Sequence, residues 1–271
     1  EFACCLGRND LSHSKRGGMQ PDFALIEAIK HGNRAEFDDA LSRGASERAR
    51  DLNGFSALRV AQRYEQLDMG QLLIELGADP SASVNQRGDA LLHHCCRVGD
   101  IGFACLLLGN GADPNARNHV GKCPLHYATI GGYQYLVHEL LEAGALVNLA
   151  TPQGDTAMHF AARRGHAPLT RSLLDPAVNA DALAKNNTGY TPLHEAAAAG
   201  QDKVVELLLK NRSLGIAERR SLLPRVRRAA ELHGHDQTAA LILAAEGKFN
   251  QSFAEQVTEE REVAQDRSAG R

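Results

Sequence analysis

Apolar positions along this chain fall into pairs of short helical stripes, and the pairs return about every 33 residues. The clearest unit is "GYTPLHEAAAAGQDKVVELLLKN", Gly189 to Asn211. Leu193, Ala196 and Ala197 line one side of a short first helix, and Val204, Val205, Leu207, Leu208 and Leu209 one side of a second. Thr191 is a good N-cap, Pro192 sits where a missing N–H costs nothing, and Gly200 ends the first helix. The alanines let the two helices approach closely.

Related units begin at Gly154, Gly121, Gly88 and Gly54, with a weaker one at Phe23. Equivalent positions are Phe23, Ser56, Ala90, Cys123, Thr156 and Thr191, spaced by 33, 34, 33, 33 and 35 residues. A seventh, degenerate copy runs from about Arg225 through "AAELHGHDQTAALILAAEG". A unit this small cannot bury its own apolar surface, so neighbours must stack into a one-dimensional core. The ends suit that account. Arg34, Glu36, Asp38 and Asp39 make the first copy's second helix polar, and the last copy's first helix is Arg-rich.

"TPLH" at Thr191 and "CPLH" at Cys123, with "GADPNA" at Gly111, resemble the ankyrin-repeat family over roughly residues 21–247. The resemblance implies an all-α solenoid of about seven stacked helix-turn-helix units with β-hairpin-like loops. Residues 1–20 then read as an extended N-terminal arm. Residues 248–271 read as an amphipathic, charged tail carrying Phe249, Phe253 and Val257 on one stripe, either a cap or a docking helix.

Charge and composition narrow the function. With 30 Lys and Arg against 33 Asp and Glu, the formal charge of −3 argues against a general polyanion binder. The longest apolar stretches, such as "AALILAA" at Ala239, fall far short of the ~20 residues that span a bilayer, so no membrane insertion is expected. Six cysteines without a CxxC pair point to reduced thiols and an intracellular, cytoplasmic setting. The chain starts at Glu1, which leaves open whether a leader has been removed.

"LLHHCC", Leu91 to Cys96, has the side chains zinc prefers. In the repeat register, however, His93 shares a slot with His126, His159 and His194, while Cys95 and Cys96 stand at alanine positions. Consecutive helical residues fan around the axis and do not converge on an ion. The family resemblance assigns the four histidines to bracing the turn that enters the first helix. No metal and no cofactor are therefore expected. No Walker loop, HExxH or nucleophile elbow is present, so no catalytic residues are assigned.

The resemblance places partner binding on the hairpin tips and the open side of the first helices. The column after the histidine slot reads Glu27, Val60, His94, Tyr127, Phe160 and Glu195, aromatic in its middle. Arg97, Arg163 and Arg164 lie further along the helices, with Tyr64 one repeat earlier; Phe55, Lys122, Asp155 and Tyr190 stand at the tips. Grouped aromatic and Arg residues are typical of binding hot spots. The alternative is that Tyr127 and Phe160 tilt into the core between repeats. Two irregularities add candidates. "DPAVNADALAKNN", Asp175 to Asn187, replaces the usual loop and is either a binding loop or a tolerated insertion. Arg219, Arg220, Arg225, Arg227 and Arg228, in the Lys210–Arg228 segment, form either a patch for an acidic partner or a charged outer face. The leading expectation is a non-catalytic adaptor, scaffold or subunit of a multi-subunit assembly. A regulator that caps an enzyme is the alternative, and nucleic-acid binding through residues 210–228 ranks third.

Overall fold

The structure is a computed structural model that describes residues 20–211, 215–247 and 251. The expected arm and tail lie outside the described residues, apart from residues 20 and 251, as does Arg212 of the basic segment. The described residues are helical, joined by turns, and Arg50 and Ser56 form an isolated antiparallel bridge. They form two units, divided after Val84.

The first unit holds α1 (Pro21–His31), α2 (Arg34–Ser42), α3 (Ala57–Arg63) and α4 (Leu67–Glu75). Here α1 packs on α2 and α3, and α3 on α4. Phe37 and Ala40 are the buried residues of α2, whose remaining surface is polar as expected for a terminal repeat.

The second unit continues with α5 (Leu91–Val98), α6 (Ile101–Gly109), α7 (Pro124–Gly131), α8 (Gln134–Glu142), α9 (Ala157–Arg164), α10 (Ala167–Leu173), α11 (Pro192–Ala198), α12 (Asp202–Lys210) and α13 (Ile216–Leu232). A further helix, α14, occupies residues 236–247. The first helices stack in series, α5 on α7 on α9 on α11 on α13, and the second helices follow, α6 on α8 and α10 on α12. Cys95, Cys96, Ala128, Ala161, Ala162, Ala196 and Ala197 are all buried, so the two cysteines fill the small-residue positions that let first helices approach closely.

The loops before α7, α9 and α11 close the same way. Asn118 N–H donates to Lys122 O and Gly121 N–H to Asn118 O; Thr151/Asp155 with Gly154, and Asn186/Tyr190 with Gly189, repeat the pattern. At the other end of the unit, Asn115 Nδ2 donates to Gly144 O while its Oδ1 accepts from Leu146 N–H. Asn148 grips Asn179 O and Asp181 N–H identically. That equivalence explains the 35-residue spacing. Asn179, at φ 56°, takes the left-handed position that Gly144 holds at φ 90°, and the two extra residues are absorbed in the turn after α10. The register of the stack passes through the insertion unchanged.

Candidate protein-binding site

The four histidines hold the first helices to the loops. Each Nδ1 accepts the backbone N–H three residues earlier: Ala90 for His93 (3.1 Å), Cys123 for His126 (3.1 Å), Thr156 for His159 (3.2 Å) and Thr191 for His194 (3.2 Å). The proton therefore sits on Nε2, which donates to the next loop: His93 to Lys122 O (3.1 Å), His126 to Leu149 O (2.8 Å) and His159 to Tyr190 O (3.0 Å). Burial pushes all four pKa values down, to about 4 for His126 and His194. His93 of "LLHHCC" thus uses both ring nitrogens within the stack.

His194 differs. Its Nε2 is buried and has no hydrogen-bond partner among the described residues. Matching the buried Leu193, Ala196 and Ala197 of α11 to the buried Val226, Ala229 and Ala230 of α13 places Leu223 where Tyr190 stands one repeat earlier. Leu223 lies inside α13, where helical geometry commits its carbonyl to the amide four residues on. A helix begun two turns early has replaced the loop that would have satisfied His194.

Above the histidines runs a polar ladder that sequence reading missed. Asn118 Nδ2 donates to Asp89 Oδ1 (2.6 Å) and to the Tyr127 hydroxyl (2.9 Å). Two repeats on, Asn186 Nδ2 donates to Asp155 Oδ1 (2.9 Å) and Glu195 Oε1 (3.1 Å). Arg97 lies 3.7 Å from Asp89, and Arg163 binds Asp155 (3.0 Å) and Glu195 (2.7 Å). Burial alone would raise the Asp89 carboxyl, but the Asn118 and Asn85 amides, with His93 and Arg97, hold it below the usual range. The Glu195 hydrogen bond raises the Arg163 guanidinium against the opposing effect of burial, with Asp155 adding to the rise. Asp89, Asp155 and Glu195 are sunk to 1%, 7% and 9% exposure, whereas Arg97 and Arg164 are exposed. The charge this face offers to solvent is cationic.

The expected residues divide accordingly. Lys122 spreads its ammonium over the rings of Tyr127 (5.7 Å) and Phe160 (5.3 Å), and Arg163 sits over Phe160 (5.7 Å). Tyr127 is half-buried, edge-on to His93. His94 is half-buried, accepting at Nδ1 from Arg97. Tyr190 is half-buried and stacked on His194, centroids 5.1 Å apart. Lys122, Tyr127, Phe160 and Arg163 therefore come together, and Tyr190 stands at the next tip. Phe55, with Arg59 over its ring at 5.8 Å, and the exposed Tyr64 belong to the first unit.

Phe160 corrects one expectation. It is only 7% exposed, its ring edge against His126 and its face under Lys122 and Arg163. It packs the repeat junction. The signal that could have told it from Tyr127 was the Arg at 163 together with Lys at 122, enough cationic cover for a ring in the same column.

The basic segment is likewise divided. Arg219 Nη2 donates to Leu209 O (3.0 Å) and Asn211 O (3.4 Å), capping the C-terminal end of α12. Arg227 pairs with Glu231 (2.7 Å) and Glu246 (3.5 Å). Arg219 and Arg227 are thus half-buried and engaged within the chain, while Arg220, Arg225 and Arg228 are exposed.

Helix pairs stacked through first-helix histidines and asparagine-linked loops define a repeat protein of the ankyrin type. Three overlapping copies of the ankyrin-repeats family model match residues 25–118, 82–151 and 125–218, and the chain belongs to the ankyrin-repeat family. It is 36% identical over 168 residues to human ankyrin repeat and SOCS box protein 16, covering 59% of this chain and 36% of that one. It is 33% identical over 145 residues to protein PhlB of Serratia liquefaciens, covering 52% of this chain and 62% of that protein. The chain thus spans about a third of the human relative's length and under two thirds of PhlB's. Among solved structures, an ankyrin repeat domain from Acinetobacter baumannii AYE superposes with TM-score 0.61 at 29% identity, over 68% of this chain and 95% of that one. The ankyrin repeat domain of Bcl-3 superposes with TM-score 0.62 at 24% identity, over 70% and 86%, and speaks to the fold alone. Ankyrin repeats generally mediate protein–protein contact and are non-catalytic. No helix among the described residues is long and apolar enough to cross a membrane.

Proposed function

We propose that this chain is a non-catalytic adaptor or scaffold subunit that binds a partner protein through the first-helix face of its second unit. The observation that carries this reading is the Lys122–Tyr127–Arg163 cluster, laid over carboxylates already satisfied from within. Aromatic and guanidinium groups held rigidly lose little entropy when a partner covers them. Arg97 and Arg164 extend the cluster along the helices, and their charge favours a partner carrying carboxylates. The 36%-identical ankyrin repeat and SOCS box protein joins its repeats to another module, which agrees with an adaptor role for repeats of this kind.

The test is capture of partners from native lysate by the full chain beside a Lys122→Ala/Arg164→Ala variant and a Tyr135→Ala control, Tyr135 being 80% exposed on α8. The reading expects one defined set of partners to be lost from the double variant and kept by the control. Retention by the double variant, with loss from the control, would move the binding face to the second helices.

A further inference from the structure

The second helices of the second unit share a register, counted from the left-handed glycines Gly132, Gly200 and Gly234 that precede α8, α12 and α14. In that register His138 and Glu142 of α8 match Glu206 and Lys210 of α12, and both match Ala240 and Ala244 of α14. On α8 the two side chains meet at 3.5 Å, and on α12 they pair at 3.6 Å. On α14 two exposed alanines take their place. The apolar position between them changes as well. Leu209, with a repeat following it, is 8% exposed, whereas its equivalent Leu243 is 54% exposed. Ala240, Leu243, Ala244 and Gly247 are all exposed and fall at i, i+3, i+4 and i+7, a single apolar stripe. A terminal repeat stays soluble by turning a polar face to water, and α14 does the reverse.

The chain continues from the end of this stripe, and the sequence that follows Gly247 suits a second helix. Asn250 is a favoured N-cap residue, and Phe249 stands just before it, where an apolar side chain staples the first turn. Gln251 is helical. From Gln251 to Glu262 a helix would match the length of α14, about 18 Å in each case. Phe253 and Val257 would share one side of it, one turn apart. Glu255, Glu259, Glu260 and Glu262 against Arg261 make the same stretch acidic. Its sign is opposite to that of the exposed Arg220, Arg225 and Arg228 of α13, the other helix of the last repeat.

We infer that residues 249–262 fold back as a helix on α14 and close the end of the stack, with Phe253 and Val257 against Ala240, Leu243 and Ala244. Residues 248–250 are a connection of the length that joins antiparallel helices. The alanines, standing where α8 and α12 carry polar pairs, let an aromatic ring approach the helix backbone. The tether keeps the segment at a high effective concentration, so a modest apolar contact holds it against a separate molecule. The acidic side of the segment is drawn toward the arginines of α13. This contact lies within the chain and does not depend on the Lys122–Tyr127 cluster.

The test places a photoreactive amino acid at position 243 of the full chain, irradiates the dilute, pure protein and maps the adducts by mass spectrometry. Phe253→Glu/Val257→Glu removes the apolar side, and Thr258→Glu, off that side, is the control. The inference expects links within one chain from position 243 to residues 253–257, lost in the double variant and kept in the control. A straight continuation of α14 would carry residue 253 about 15 Å along the axis from position 243, out of reach of such links. Hydrogen exchange on chains that keep Leu243 gives a second readout. There the double variant should quicken exchange of the α14 amides about tenfold, and Thr258→Glu should leave it unchanged. Links between chains would overturn the inference in favour of a second copy on the stripe. The absence of links to residues 253–257, or α14 exchange unaffected by the double variant, would also overturn it and leave the stripe to a separate protein.

Discussion

Arg163 on α9 donates from Nε to Glu195 Oε2 on α11 across 2.7 Å, and from Nη2 to Asp155 across 3.0 Å. One guanidinium thus holds the carboxylates of two successive repeats, beneath the face proposed for binding. Replacing it by Met keeps the stem and leaves both acids with Asn186 as their remaining amide donor. Because the Arg163 side chain is 39% exposed, water screens the pair, and a loss of about 1–2 kcal/mol is expected. Urea unfolding followed by circular dichroism measures it. An unchanged midpoint would show that the ladder is an ornament of the surface.

Phe160→Ala separates packing from recognition. With 7% exposure and contacts to His126, Lys122 and Arg163, the ring should cost about 3–4 kcal/mol on truncation. The thermal midpoint should fall by several degrees or more. Were stability unchanged and partner capture lost, Phe160 would be a contact residue after all.

The histidine column makes stability fall on mild acidification. His126 and His194 have folded pKa values of about 4 against 6.5 in the open chain, burial being the main cause, and His93 and His159 move the same way. The unfolded chain therefore binds more protons between those values, and stability is full above pH 6.5 and declines toward about pH 4. His126 and His194 account for about 3 kcal/mol each across that window. Urea midpoints at pH 7.5, 6 and 5 should fall in order. An imidazole resonance of His126 titrating near 6.5 in the folded protein would contradict the assignment.

Arg219→Ala tests the α12 cap. Removing the donor to Leu209 O and Asn211 O should cost about 1 kcal/mol and raise amide hydrogen exchange in the last turn of α12 before it does elsewhere. Uniform protection along α12 in the variant would assign Arg219 to the solvent-facing patch.

The repeat period, the helix pairs and the slot of the four histidines were legible because each rests on a local rule. Caps, 3.6-residue stripes and small residues at close approaches leave their marks in sequence. The polar ladder was not legible. Asn118 to Asp89 and Asn186 to Asp155 join residues about a repeat apart, and neither asparagine differs from an ordinary turn residue until the loops are stacked. Phe160 was misplaced for a related reason: Tyr127 and Phe160 share a column, but burial depends on which cations the adjoining repeats bring over the ring. The start of α13 at Ile216 was hidden too. The seventh copy is expected from about Arg225, whereas that residue lies inside the single helix Ile216–Leu232.

The central claim is that partners contact the first-helix face, and photo-crosslinking reads it most directly. A photoreactive amino acid is placed at exposed Arg164 on α9 in one chain and at exposed Tyr135 on α8 in another, and each is irradiated in native lysate. A defined set of covalent adducts from position 164, absent from position 135, is the result predicted here. Adducts from position 135 and none from position 164 would contradict it.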